Sequence, residues 1–368
     1  MDVNVKLKPS LSIEAFYLFF IITSIQLGVG MMGAPRYIFL EAKQDSWISI
    51  ILAIIFSLIV LFVMLYILKQ YENADILGIQ VDIFGKWIGK LLGLAYIAYF
   101  AGALLSVVLT YIEVVKIFIF PEVSSLLMGV VLTILIIYTV LGGLRVIVGV
   151  CFLFFLLTHW LLLLLIEPAT AINFDHFSPP LQASVTELLS GAKASSYTFM
   201  GIEILFLIYP FIVNKEKTKL PITIAALWTG AIILLTTVIT IGFFSPEQLL
   251  RREWSVLALF KIQTFTFIER FDYIVVAEWM MVSLPNMVLL MWALTYSMKR
   301  MYKVPQKVTL YTASIFLLIG CATIEKHYHI QKVITIVSDN GFWLIFVYPI
   351  LLLPFVLIKK KWKKARKV

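Results

Sequence analysis

Ten stretches of about twenty apolar residues follow one another through this chain, and two of them are interrupted at their middles by glycine. A bilayer core is crossed by about 20 residues of helix. Lipid supplies no hydrogen-bond partners, so such a chain must satisfy its backbone internally. The stretches run roughly over 13–40, 47–68, 90–118, 124–140, 144–166, 192–213, 222–244, 271–298, 308–324 and 341–358. Hydrophobic residues make up 61% and charged residues 14% of the sequence, against about 45–50% and 25% in soluble domains. The expected fold class is an all-α polytopic membrane protein with ten transmembrane helices in one transmembrane domain, 1–368.

The first interruption reads Gln26-Leu27-Gly28-Val29-Gly30-Met31-Met32-Gly33-Ala34-Pro35, the second Tyr197-Thr198-Phe199-Met200-Gly201-Ile202-Glu203. Glycine best tolerates non-helical torsions and close approach of a ligand. Unwinding the first stretch bares the amides of Gly28, Val29, Gly30 and Met31 at the start of an outer half-helix, where an anion such as a carboxylate is favoured. Unwinding the second at Gly201 frees carbonyls that suit an ammonium group. Together they match an α-amino acid or a similar zwitterion. A Gly-x-Gly alone is more often a packing face. Two breaks, in the first and sixth of ten spans, are what a five-plus-five inverted repeat requires, with repeat 1 at about 11–166 and repeat 2 at about 192–358. Glu203 lies at mid-membrane, where a carboxylate costs at least ~2.5 kcal/mol unless partnered or protonated. It either braces the unwound turn or carries a coupling proton; Glu278 is the second coupling candidate.

Orientation follows Lys and Arg in the loops. With the N-terminus cytoplasmic, about 20 of the 30 fall inside and about 10 outside. The seven of the basic tail, 359–368, decide the matter, and both termini are expected in the cytoplasm. The net charge of +9 sits beside membrane exits, where it attracts anionic headgroups; nucleic acid is not an expected partner. The first span is expected to serve as its own insertion signal, because no cleavable leader pattern precedes it. Of two long outside loops, 167–191 should lie over the bundle. The other, 245–270, has the amphipathic pattern of an interfacial helix and serves as a cap or a gate. Cys151 and Cys321 read as small core residues.

At the broken spans the chain resembles the endospore germination permeases, the B subunits of germinant receptors, within the amino acid–polyamine–organocation superfamily. The residues that carry the likeness are Leu27-Gly28-Val29-Gly30 with Pro35-Arg36, Gly85-Lys86-Trp87-Ile88-Gly89, Phe199-Met200-Gly201-Ile202-Glu203, and Phe267-Ile268-Glu269-Arg270-Phe271-Asp272. The resemblance implies a five-plus-five fold and a germinant pocket between the first, third, sixth and eighth helices. By position the pocket takes Gly28, Val29 and Gly30, Tyr99, Met200 and Gly201, and Asn286 with Leu290. It also implies a larger A-type membrane subunit and a C-type lipoprotein as partners, in the spore inner membrane.

Other ionisable residues carry less. His159 and Glu113 are expected to bond within the bundle, and His327 and His329, in an outside loop, lack the third ligand a metal needs. Glu269, Arg270 and Asp272 read as a helix start. No phosphate-binding loop, nucleophile elbow or zinc-protease run is present, so neither an enzyme nor a cofactor or metal is expected. The leading expectation is a sensor that binds a small nutrient and signals to partner subunits. The alternatives are a proton- or sodium-coupled amino acid transporter and a passive conduit for water or ions.

Overall fold

The computed structural model describes residues 2–6, 11–28, 30–262 and 271–365. Its first predicted span is two helices, α1 (Leu18–Gln26) and α2 (Gly30–Ala42). Then come α3 (Ser46–Lys69), α4 (Ile76–Phe118), α5 (Ser125–Leu141), α6 (Leu144–Thr158) with a 3-10 continuation His159–Leu165, and α7 (Ile166–Thr170). The second half holds α8 (Val185–Phe199), α9 (Ile204–Ile208), α10 (Lys219–Phe243), α11 (Pro246–Leu250), α12 (Ser255–Phe260), α13 (Phe271–Tyr302), α14 (Gln306–Thr323), α15 (His327–Gly341) and α16 (Tyr348–Ala365). Every predicted span coincides with helix. Among the described residues, seven helical stretches are long and apolar enough to cross a membrane on their own, while α1 and α5 are shorter apolar helices.

Several helices begin earlier than their apolar runs, because caps rather than hydropathy set their ends. α4 starts at Ile76, where Asp75 accepts from the Gly78 amide at 2.7 Å, and kinks at Gly85, whose φ is +82°. α8 starts at Val185 rather than 192, behind a capping box of Ser184 and Glu187. The tenth span starts at His327 instead of 341, so His327 and His329 lie on a helix and not in a loop. It passes through a π-helical stretch, Phe342–Val347, into α16, and helix persists to Ala365 through most of the expected tail.

Much of the packing is preserved when the halves are exchanged. α1 packs on α10 as α3 packs on α8; α6 packs on α13 as α15 packs on α4; α5 packs on α13 as α14 packs on α4. The pairs α4–α13, α5–α14 and α3–α10 map onto themselves, and α2–α8 joins the two broken spans. An odd number of spans per half sends the second half in from the opposite face, so the repeat is inverted. The two broken spans sit where the halves meet.

The loop regions bury what they can on this bundle. The segment expected as one interfacial helix is two short ones, α11 and α12, with Leu249, Trp254, Leu257, Leu259 and Phe260 buried; residues 263–270, with the Glu269–Arg270 pair, lie outside the described part. The 167–191 loop is pinned by Asp45, whose buried carboxylate accepts from the amides of Leu181, Gln182 and Ala183 at 2.7–2.9 Å.

Candidate ligand-binding site

Both glycine-bearing spans are interrupted. α1 ends at Gln26, Leu27 is extended (φ −79°, ψ 90°), and helix resumes at Gly30. α8 ends at Phe199, Met200 is extended (φ −63°, ψ 156°), and Gly201 takes φ +111°, a torsion that favours glycine. A Cβ on Gly201 would lie 2.6 Å from Ile25 Cγ2, so the two breaks touch.

Side chains mend the opened backbone. The Gln26 amide donates to the Phe199 carbonyl at 2.9 Å, the Asn286 amide donates to the Ile25 carbonyl at 2.6 Å, and Glu203 Oε2 accepts from the Gly201 amide at 2.7 Å. Glu203 thus braces the unwound turn. Tyr99 sets its hydroxyl beside the same carboxylate. Once these bonds are made, Gln26 Oε1, Glu203 Oε1 and Asn286 Oδ1 remain buried without a hydrogen-bond partner among the described residues. Burying three such acceptors is costly. The three residues that carry them all line one cavity of about 50 Å³.

Gly28, Gly30, Tyr99, Met200, Gly201, Asn286 and Leu290 all line this cavity, as does Glu203. Val29 lies outside the described residues. Glu278 is elsewhere: nearer the start of α13, it accepts from Trp160 Nε1 at 2.6 Å. Gly28 cannot carry a side chain without displacing Asn286, because a Cβ there would lie 2.9 Å from Asn286 Nδ2. At Gly30 a Cβ would meet the Tyr197 ring at 2.9 Å.

Comparison with known proteins now places the chain. A family profile described as "Spore germination protein" matches residues 12–329. Spore germination protein GerQB of Bacillus cereus is 33% identical over 336 residues, 91% of this chain and 93% of its own length. The chain belongs to the spore germination protein family. Within that family, spore germination protein A2 of Bacillus subtilis (strain 168) is 25% identical over 73% of this chain and 75% of its own. A solved Na+-coupled sialic acid symporter, substrate-bound and outward-open, superposes with a TM-score of 0.67 at 13% identity, covering 91% of this chain and 79% of that one. This germination protein is therefore a multi-pass membrane protein with a transporter fold, in a family of germination permeases and not of enzymes.

Sequence reading missed part of the wall. Gln26, Ser106, Tyr197 and Val337 also line the cavity, and Gly341 abuts it, with a Cβ there falling 2.9 Å from both Met200 Sδ and Tyr99 Cε2. A polar Gln26 one turn before the glycines was the available signal. Nothing in the sequence announces that α15 reaches the cavity.

Proposed function

We propose that this germination protein is the nutrient-binding B-type subunit of a germinant receptor, with a small amino acid held between the broken helices. The observation that carries the reading is the set of three buried, unpartnered oxygens of Gln26, Glu203 and Asn286 around one cavity. Oxygen acceptors call for a ligand rich in N–H donors, and an ammonium group has three. Gly30, the first residue of α2, lines the same cavity, and a helix N-terminus favours a carboxylate, with the Met31 amide already donating to the Gly28 carbonyl at 3.3 Å. Gly28, Val29, Gly30, Tyr99, Met200, Gly201, Asn286 and Leu290 are the proposed contacts.

A water needs about 10–15 Å³ by the same measure, so the cavity seats only a few water-sized groups. Binding a nutrient therefore requires the walls to give, and Met200, with a flexible thioether, is the natural part to yield. That movement is the proposed signal to an A-type membrane subunit and a C-type lipoprotein in the spore inner membrane. Both termini are assigned to the cytoplasm from the Lys and Arg distribution.

Thermal-shift screening of the purified protein against amino acids tests the reading. A ligand present at 100 times its Kd stabilises the folded state by about 2.7 kcal/mol. The expected hit loses its effect when its amine is removed or acetylated. If deaminated analogues stabilise equally well, the acceptor-lined cavity is not the site.

A coupled transporter is the second reading, favoured by the buried Glu203 carboxylate at the junction of the halves and by the likeness to a symporter fold. Gradient-driven uptake of a labelled amino acid into proteoliposomes would support it over the sensor, and swelling of the same vesicles without uptake would point to a conduit.

A further inference from the structure

One polar cluster lies at the same end of the bundle as the cap and away from the central cavity. His327, the first residue of α15, stands between two carboxylates: Nδ1 is 2.7 Å from Glu113 Oε1 on α4, and Nε2 is 3.1 Å from Glu253 Oε2 in the cap. Glu253 is held further. Its Oε1 accepts from the Tyr37 hydroxyl of α2 at 3.0 Å and from Gln331 Nε2 of α15 at 2.6 Å. Its backbone carbonyl sits so close to α2 that a Cβ on Gly33 would lie 3.0 Å away. The cluster thus ties the outer ends of α2, α4 and α15 to the cap. Those three helices also wall the cavity, through Gly30, Tyr99 and Val337.

The chemistry of the middle residue is restrictive. While both flanking groups are ionised they only accept, so both imidazole nitrogens must donate, and only the protonated imidazolium has two N–H groups. A neutral ring leaves one lone pair facing a carboxylate oxygen and turns an attraction into a repulsion. Among the described residues, the other charged and titratable groups around it include Tyr37 on α2 with Arg36 beside it, Lys116 on α4 (whose ammonium donates to Ser125 at 3.0 Å), and Glu325 and Lys326 just before α15.

We propose that this cluster is a proton-operated latch. Protonated His327 holds the cap, α2, α4 and α15 together over the cavity, and loss of that proton releases them and opens the way in. Its service as a gate rests on reading the cavity as the ligand site; the latch itself does not.

Two measurements on the full chain in lipid nanodiscs test it. First, 15N spectra of the four imidazoles, with His327 assigned through H327Q, should show both ring nitrogens protonated in the latched wild type. E113Q and E253Q should each shift that ring toward the singly protonated form. A neutral His327 in the wild type, or one indifferent to both substitutions, overturns the latch. Second, Ser106→Cys places a thiol in the cavity wall, and its alkylation rate is followed against pH. The same thiol in an H327Q background, which carries only the thiol's own ionisation, is the reference. The ratio of the two rates should change about tenfold, the order of a typical coupling between sites, as the imidazole loses its proton, with the wild-type background slower at low pH. A flat ratio beside a protonated His327 overturns the gate and leaves the ion cluster standing. Neither result depends on finding the nutrient, so failure of the ligand screen is distinguishable from failure of the latch.

Discussion

At the scale of single residues, three glycines make contrasting predictions. Gly28→Ala pushes against Asn286 Nδ2 and breaks its bond to the Ile25 carbonyl, a loss of about 0.5–1.5 kcal/mol. The variant should reach the membrane and unfold at nearly the wild-type temperature, yet show no ligand-induced thermal shift. Gly201→Ala combines a φ of +111° with a 2.6 Å clash against Ile25. A strained torsion alone costs about 1–3 kcal/mol, so its melting temperature should fall clearly below that of Gly28→Ala. Gly149, on the outer face of α6, has nothing within 4 Å of an added Cβ; Gly149→Ala should leave stability unchanged or raise it by about 0.5–1 kcal/mol. The critical glycines were legible because glycine is conspicuous at the centre of an apolar run. For Glu278, composition shows a mid-sequence carboxylate but not its depth. Eight residues before Asn286, it lies about 12 Å further along the helix, where an indole N–H holds it instead of the cavity.

Among the elements, the Asp75 clamp carries the clearest test. Asp75 caps α4 through the Gly78 amide, and its other oxygen accepts from the Tyr296 hydroxyl at 2.6 Å and from Arg300 Nε at 2.9 Å, both on α13. Arg300 also donates to the carbonyls of Asp2 and Val3. Arg300→Met strands a fully buried carboxylate, and breaking one side of such a pair costs about 3–5 kcal/mol. Thermal unfolding in detergent should show a large loss, partly restored when Asp75→Asn is added; a double variant as unstable as the single would refute the charge argument. The existence and order of helices could be read from apolar runs because lipid leaves the backbone so few options. Their starts could not. The Ser184–Glu187 capping box was visible as letters, but the polar turn that follows it dips below any hydropathy threshold, and only packing on α2 and α3 keeps it helical.

For the whole molecule, orientation is the untested link between the fold and its partners. With Cys151 and Cys321 replaced, a single cysteine in place of Trp362, which is exposed on α16, should react with an impermeant reagent in inverted vesicles and stay protected in right-side-out ones. The opposite pattern would turn the His327 end toward the cytoplasm. The exchange symmetry of the packing was foreseen from two glycine positions, since nothing else explains breaks in the first and sixth spans. The tenth helix's share in the cavity was not, because it depends on how the halves lean together. That leaning has a cost during synthesis. The Ile25 carbonyl in the first half is satisfied by Asn286 of the second, and the Phe199 carbonyl in the second by Gln26 of the first. Each half carries the other's repair. A ribosome that has released only five helices holds a kink that nothing yet mends, so the native break is completed only when the eighth helix arrives.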